Sequence, residues 1–196
     1  LEVVGEGLEP ADEVDLGRGQ PPVHQHRHNA GGSAADMEKA FKLAGTPGPE
    51  HAALKNLVGT WKAQVKWWMD PSGKPQISTG TSINRAVLGG KFIREDYSGK
   101  MMGRSFEGVG FLGYDNVGKT YTSYWIDSMT TGSMIGTGSY DTNSKSWTYN
   151  SEVSCPLIND KQKIRSITKL IDKNHFTFEI SLYKNMMNIN HGNFNE

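Results

Sequence analysis

The chain has 196 residues, 36% of them hydrophobic, 21% charged and 10% aromatic, which is material for one domain with a hydrophobic core and too little for two large ones. Twenty-one basic residues balance twenty-one acidic ones, so no overall field gathers nucleic acid or an anionic membrane surface. A single cysteine, Cys155, excludes an intrachain disulfide framework and a multi-thiolate metal site, and no apolar run reaches the roughly 18 residues of a membrane-spanning helix.

The neutrality is an average of two unlike parts. Residues 1–36 carry seven acids and two bases, whereas residues 37–196 carry fourteen acids, nineteen bases and all nineteen aromatic residues. With six glycines, three prolines and no aromatic anchor, the 1–36 leader is expected to be disordered. Its His24, His26 and His28 could chelate a divalent metal adventitiously, but on a flexible segment they read as incidental polar residues. The leader lacks the basic, apolar, small-residue order of a secretion signal, which leaves the cytoplasm and a secreted or periplasmic compartment both open for a soluble protein.

Met37, Ala40, Phe41 and Ala44 fall at helical spacing, Gly45-Thr-Pro-Gly-Pro49 interrupts them, and Glu50 to Leu57 forms a second helical stretch. Residues 37–58 are therefore expected as short lid or plug helices. After Gly59 the helical period disappears. Stretches rich in aromatic and β-branched residues predict strands near 59–68, 76–88, 91–98, 105–113, 119–127, 132–140, 145–153, 162–171 and 175–183, with a last one near 186–190. Hairpin-length connections such as Tyr114-Asp-Asn-Val-Gly118 and Asp141-Thr-Asn-Ser144 leave no room for crossover helices, so consecutive strands pair antiparallel. The expected fold is all-β: one antiparallel up-and-down barrel of eight to ten strands over 59–190, one or two short helices before it, and a tail from 191.

Alternation sorts the faces. Trp61, Ala63, Val65 and Trp67 share one face of the first strand, as do Trp147, Tyr149, Ser151 and Val153 of the seventh and Phe176, Phe178, Ile180 and Leu182 of the ninth. The third strand is ambiguous, because one face offers Arg94 with Asp96 and the other offers Glu95. Tyr121, Ser123, Trp125 and Asp127 mix aromatics with an acid. A barrel of this size can enclose a small ligand, so these polar positions predict a partly polar cavity.

Four segments, Pro49-Glu-His-Ala-Ala-Leu-Lys-Asn-Leu-Val-Gly-Thr-Trp61, Leu88-Gly-Gly-Lys-Phe92, Phe106-Glu-Gly-Val-Gly-Phe-Leu-Gly-Tyr-Asp-Asn116 and Trp125-Ile-Asp-Ser-Met-Thr-Thr-Gly132, resemble the bacterial family called domain of unknown function 1579. The resemblance runs from about Met37 to Leu182. That family is similar to the calycins, which include lipocalins, fatty-acid-binding proteins and nitrobindin-like haem proteins, and the likeness implies a calycin-like barrel without establishing an activity. It also implies that Trp61 closes one barrel end beneath a basic side chain, Lys184 or Arg165. The leader and the segment Ser181 to Asn190, with its short final loop, depart from the family pattern.

No nucleophile elbow, phosphate loop, dinucleotide fingerprint or zinc-protease motif is present. Gly108, Gly110 and Gly113 sit in strand context and are expected to serve close packing. Asp115-Asn116 reads as a turn, Asp127 as a loop cap or a carboxylate at the cavity mouth, and Glu107 as a partner of Arg94 or Arg104. His175 and His191 are the late histidines that haem ligation would need, and His175 is expected to face outward. Cys155 is placed in a loop before Pro156, and the pairs Met101-Met102 and Met186-Met187 are taken as packing. The expected function is non-catalytic binding of a small, partly apolar, hydrophobic or amphipathic ligand, a weakly anionic one being tolerated. The lining is expected from Trp61, Trp67, Arg94, Glu95, Tyr121, Trp125, Asp127, Trp147 and Tyr149, with no cofactor, metal or nucleic-acid partner. A haem-binding barrel, an enzyme using the cavity, and a filled interaction module with an apolar patch around Trp68 are the alternatives. The oligomeric state is left open, a homodimer included.

Overall fold

The computed structural model describes residues 32–67, 74–156, 158–182 and 189–192. Helix α1 spans Ala34–Gly45. Ser33 caps it reciprocally: the Asp36 N–H donates to Ser33 Oγ at 3.2 Å, and the Ser33 N–H donates to Asp36 Oδ2 at 3.0 Å. The helix thus begins three residues ahead of Met37. Pro49, with its preset φ, opens α2 (Pro49–Leu54), which runs on as a 3-10 turn over Lys55–Leu57. Gly59 then turns the chain into the first strand with φ 152°, a conformation that favours glycine.

Ten strands follow: β1 Gly59–Trp67, β2 Gln76–Val87, β3 Phe92–Met101, β4 Arg104–Asp115, β5 Thr120–Asp127, β6 Met134–Asp141, β7 Ser146–Cys155, β8 Asp160–Asp172, β9 His175–Leu182 and β10 Ile189–Gly192. Each pairs antiparallel with its sequence neighbour, and β10 pairs with β1, so the sheet closes into an up-and-down barrel. Asx turns fix the tight connections. Asp115 Oδ1 accepts from the Val117 N–H at 2.8 Å, Asp141 Oδ1 from the Asn143 N–H at 2.9 Å and Asp172 Oδ1 from the Asn174 N–H at 2.7 Å. Hydrogen bonds of this kind hold all three carboxyl pKa values below the ordinary carboxylate range: backbone donors lead at Asp115 and Asp172, and the Ser144 hydroxyl leads at Asp141.

The strands fall where alternation predicts them, with three corrections. Cys155 is the last residue of β7 rather than part of a loop. β10 covers Ile189–Gly192, where it pairs with β1 and β9, so the described last strand runs past the expected end at 190, and the expected positions 186–188 lie outside the described residues. His191 consequently lies within that strand, opposite Val65 and Phe178, rather than after it. The expectations for residues 1–31, Trp68, Lys184, Met186 and Met187 concern positions outside the described residues.

The register sets one inward row per strand, and the buried core follows it: Trp61, Ala63, Val65, Ile93, Tyr97, Phe106, Tyr121, Trp147, Tyr149, Ile164 and Phe176. Leu54 and Leu57 add the inner side of α2 and its 3-10 turn, so these residues plug one end of the barrel. α1 lies outside this core and has no buried residue.

Candidate functional site

At the plugged end the aromatic side chains pack on one another. Tyr114 meets Tyr121 with ring centroids 4.9 Å apart, Tyr121 meets Tyr140 at 6.2 Å, and Tyr140 meets Trp147 at 4.5 Å. Trp61 stands edge-on to Phe176 at 4.7 Å, and its indole N–H donates to the Leu57 carbonyl at 3.0 Å. The plug is thereby bonded to the barrel. Of the two cations expected over Trp61, Arg165 lies on the outward row of β8 between Asn150 and Ser181, and Lys184 lies outside the described residues. Burial pushes the Tyr121 hydroxyl up to about 12.

Below the plug the inward rows become small and polar. Gly108 and Gly110 on β4 leave a bare strip of backbone, and the Trp125 ring of β5 lies along it: a Cβ at Gly108 would overlap the six-membered part of the indole. Tyr97 uses the same device, since a Cβ at Gly80 would overlap its hydroxyl end and one at Gly99 would crowd it. These rings cover the wall. The indole N–H of Trp125 donates to Asp127 Oδ2 at 3.1 Å, while Asp127 Oδ1 accepts the N–H groups of Met129 at 2.9 Å and Thr130 at 3.3 Å. Asp127 therefore caps the loop and presents a carboxylate on the inward row, combining the two roles that the sequence offers as alternatives.

Glu95 resolves the ambiguity of β3. It shares the inward row with Ile93 and Tyr97, between Asn84 of β2 and Gly110 of β4. Those four neighbours are all buried, yet Glu95 keeps part of its surface accessible, so that surface opens into the barrel rather than through its wall. Ser82 Oγ, itself 0% exposed, lies 2.8 Å from Glu95 Oε1 and 2.9 Å from Asn84 Oδ1, and Asn84 Nδ2 donates to the Leu57 carbonyl at 2.9 Å. That last bond fixes the amide with Oδ1 toward Ser82. One hydroxyl has one proton, so it satisfies Asn84 while also bonding Glu95 only if the Glu95 carboxyl carries a proton of its own. Burial acts in the same direction, raising the carboxyl pKa above its ordinary value despite the Ser82 hydrogen bond.

Arg94, expected among the ligand contacts, faces away from the barrel. It is exposed and binds Asp96 through Nε at 3.0 Å and Nη2 at 2.7 Å, with Arg85 reaching the same carboxylate at 3.1 Å. Asp96, not Glu107, is thus the partner of Arg94. Trp61, Glu95, Tyr121, Trp125, Asp127, Trp147 and Tyr149 all occupy inward rows, whereas the Trp67 side chain lies outside the described residues. Ser82, Asn84 and Ser151 are inward polar groups that composition alone does not mark. Among the described residues the Tyr149, Ser78 and Ser151 hydroxyls and the Trp147 indole N–H are buried without a hydrogen-bond partner. His175 is on the outward row, ion-paired to Asp172 at 2.8 Å. Among the described residues no three His, Cys, Asp or Glu side chains cluster as a metal site.

A concavity of about 310 Å³ lies outside the barrel, lined by residues including His51, Lys91, Phe92, Tyr114, Asn116 and Thr122. Several of its polar groups are engaged in holding the helices down. Asn116 Nδ2 approaches the carbonyls of Leu43, Ala44 and Thr46 at 3.3, 3.0 and 2.8 Å, and His51 Nδ1 accepts the Gly48 N–H at 3.0 Å. It is the joint between the helices and the barrel.

The fold defines a single up-and-down β-barrel with one plugged end and a partly polar interior. The family model described as "Protein of unknown function (DUF1579)" matches residues 46–190, and the chain belongs to that family. No curated protein matches it. Among solved structures it is similar to a redesigned β-barrel at 15% identity, with a TM-score of 0.38, covering 74% of this chain and 94% of the other. No helix among the described residues is long and apolar enough to cross a membrane.

Proposed function

We propose that this protein is a non-catalytic barrel that binds a small, largely apolar molecule between its aromatic-lined wall and the Glu95 carboxyl. The observation that carries this reading is the way the Trp125 ring, only partly buried, lies along the Gly108–Gly110 strip and covers that wall with apolar surface. The accessible face of Glu95 supplies a polar group that orients a ligand. The sequence resemblance to bacterial calycin-like proteins points the same way. The interior is a poor match to an anion, because Arg94, the cation expected there, is on the outside.

The test is titration with the neutral fluorescent probe N-phenyl-1-naphthylamine. The wild-type protein should bind one equivalent saturably with a blue-shifted emission. Ser123→Phe, which places a ring on the inward row of β5, should abolish that binding while the outward substitution Ser98→Phe leaves it intact. Absence of saturable binding, or binding indifferent to Ser123→Phe in a protein with wild-type circular dichroism, overturns the reading.

A further inference from the structure

Resting on that reading, we propose that the interior selects an organic amine, a ligand that donates hydrogen bonds and carries positive charge, over an anion of the same skeleton. The inward rows of β1 to β9 present the carboxyls of Glu95 and Asp127 and, among the described residues, one arginine, Arg104, exposed at the far rim; His191 of β10 lies opposite Val65 and Phe178 of the inward rows, toward that same rim. Glu95 Oε1 meets Ser82, whereas Oε2 has no hydrogen-bond partner and keeps accessible surface, so an acceptor atom faces the interior. The aromatic faces beside it, Trp125 and Tyr97, attract a cation through their ring quadrupoles. An anion would meet two carboxyls and aromatic faces with no inward counter-charge nearby, an arrangement that repels it.

The proton balance follows from the geometry. A bound ammonium group pairs with Glu95 as the carboxylate, so the proton that Glu95 shares with Ser82 leaves to solvent: one ammonium enters and one proton departs. The other groups around Glu95 do not compete for that role. Tyr97 and the outward Asp96 are its titratable neighbours on β3, while β2 offers Ser82 and Asn84, β4 offers Gly108 and Gly110, and β5 packs Trp125 on that glycine strip.

Isothermal titration with 1-naphthylmethylamine, 1-naphthylmethanol and 1-naphthoate at pH 7, in two buffers of different ionisation enthalpy, tests this. The amine should bind at least tenfold more tightly than the carboxylate and release protons to the buffer. In Glu95→Gln both the release and most of the preference should vanish; if that variant fails to fold, the wild-type proton count and selectivity decide. Equal or tighter binding of the carboxylate, or amine binding without proton release, overturns the proposal. Binding of the alcohol without the amine rejects the amine class while the binding function stands, and silence of all three probes removes the binding function itself.

Discussion

The plugged end and the middle of this barrel hold similar side chains and use them in opposite ways. Tyr114, Tyr121, Tyr140 and Trp147 pack ring on ring beneath the helices, while Trp125 lies along the glycine backbone of β4; Tyr97 does both, resting on Gly80 and Gly99 and standing edge-on to Phe106 at 5.7 Å. What decides between core and lining is the residue opposite. A ring that faces another ring fills space, and a ring that faces Gly108 covers a wall. At the plug the Leu57 carbonyl accepts from both Trp61 and Asn84, while the Trp147 indole N–H there and the Tyr149 and Ser151 hydroxyls deeper in the barrel are buried with no hydrogen-bond partner among the described residues.

Breaking the filled end should have the largest effect on stability. Trp147 is 0% exposed, and Trp147→Ala should cost about 3–5 kcal/mol in denaturant unfolding, the range for large aromatic truncations in a core. Gly108→Val should act on the lining instead. Displacing the Trp125 ring costs about 1–3 kcal/mol by overpacking, and probe affinity should fall more than tenfold because the wall loses its flat ring. Removing the link between the two regions with Asn84→Ala, which takes one of two partners from the Ser82 hydroxyl and one of two donors from the Leu57 carbonyl, should cost about 1–3 kcal/mol. Amide exchange should then accelerate over residues 49–57 before it does in β7 and β8.

Glu95 gives the comparison a pH dependence. Its folded pKa lies above the ordinary carboxyl value of 4.5, so its contribution is complete below that value and is lost as pH rises toward the folded pKa. Unfolding midpoints of Glu95→Gln and the wild type, measured from pH 4 to 8, should therefore diverge in favour of the variant above about pH 4.5. A difference that stays flat with pH would show that Glu95 is ionised in the folded protein. The smallest effect belongs outside the barrel. Arg94→Ala should change stability by about 0–1 kcal/mol, as expected for an exposed ion pair, and leave probe binding unchanged.

The strands were legible because period-two alternation and Asp-containing turns are local signals, and the inward rows of β1, β5, β7 and β9 followed from them. β3 was not legible. Arg94 and Asp96 on one face and Glu95 on the other are equivalent to a pattern, and only the neighbours across the sheet, Ser82 and Asn84, make the Glu95 face tolerable inside. The joint at Asn116 was equally hidden: its amide reaches carbonyls about 70 residues away in sequence, so what looks like half of a turn motif also ties α1 to the barrel. The cation expected over Trp61 came from family likeness, and of its two candidates Arg165 lies on the outward row of β8 while Lys184 lies outside the described residues.

Intermolecular nuclear Overhauser effects from N-phenyl-1-naphthylamine to the protein test the central claim most directly. The account predicts contacts to the side chains of Trp125, Tyr97 and Ser151, with Asn116 and Thr122 silent. Contacts confined to Asn116 and Thr122, or no contacts at saturating probe, would contradict it.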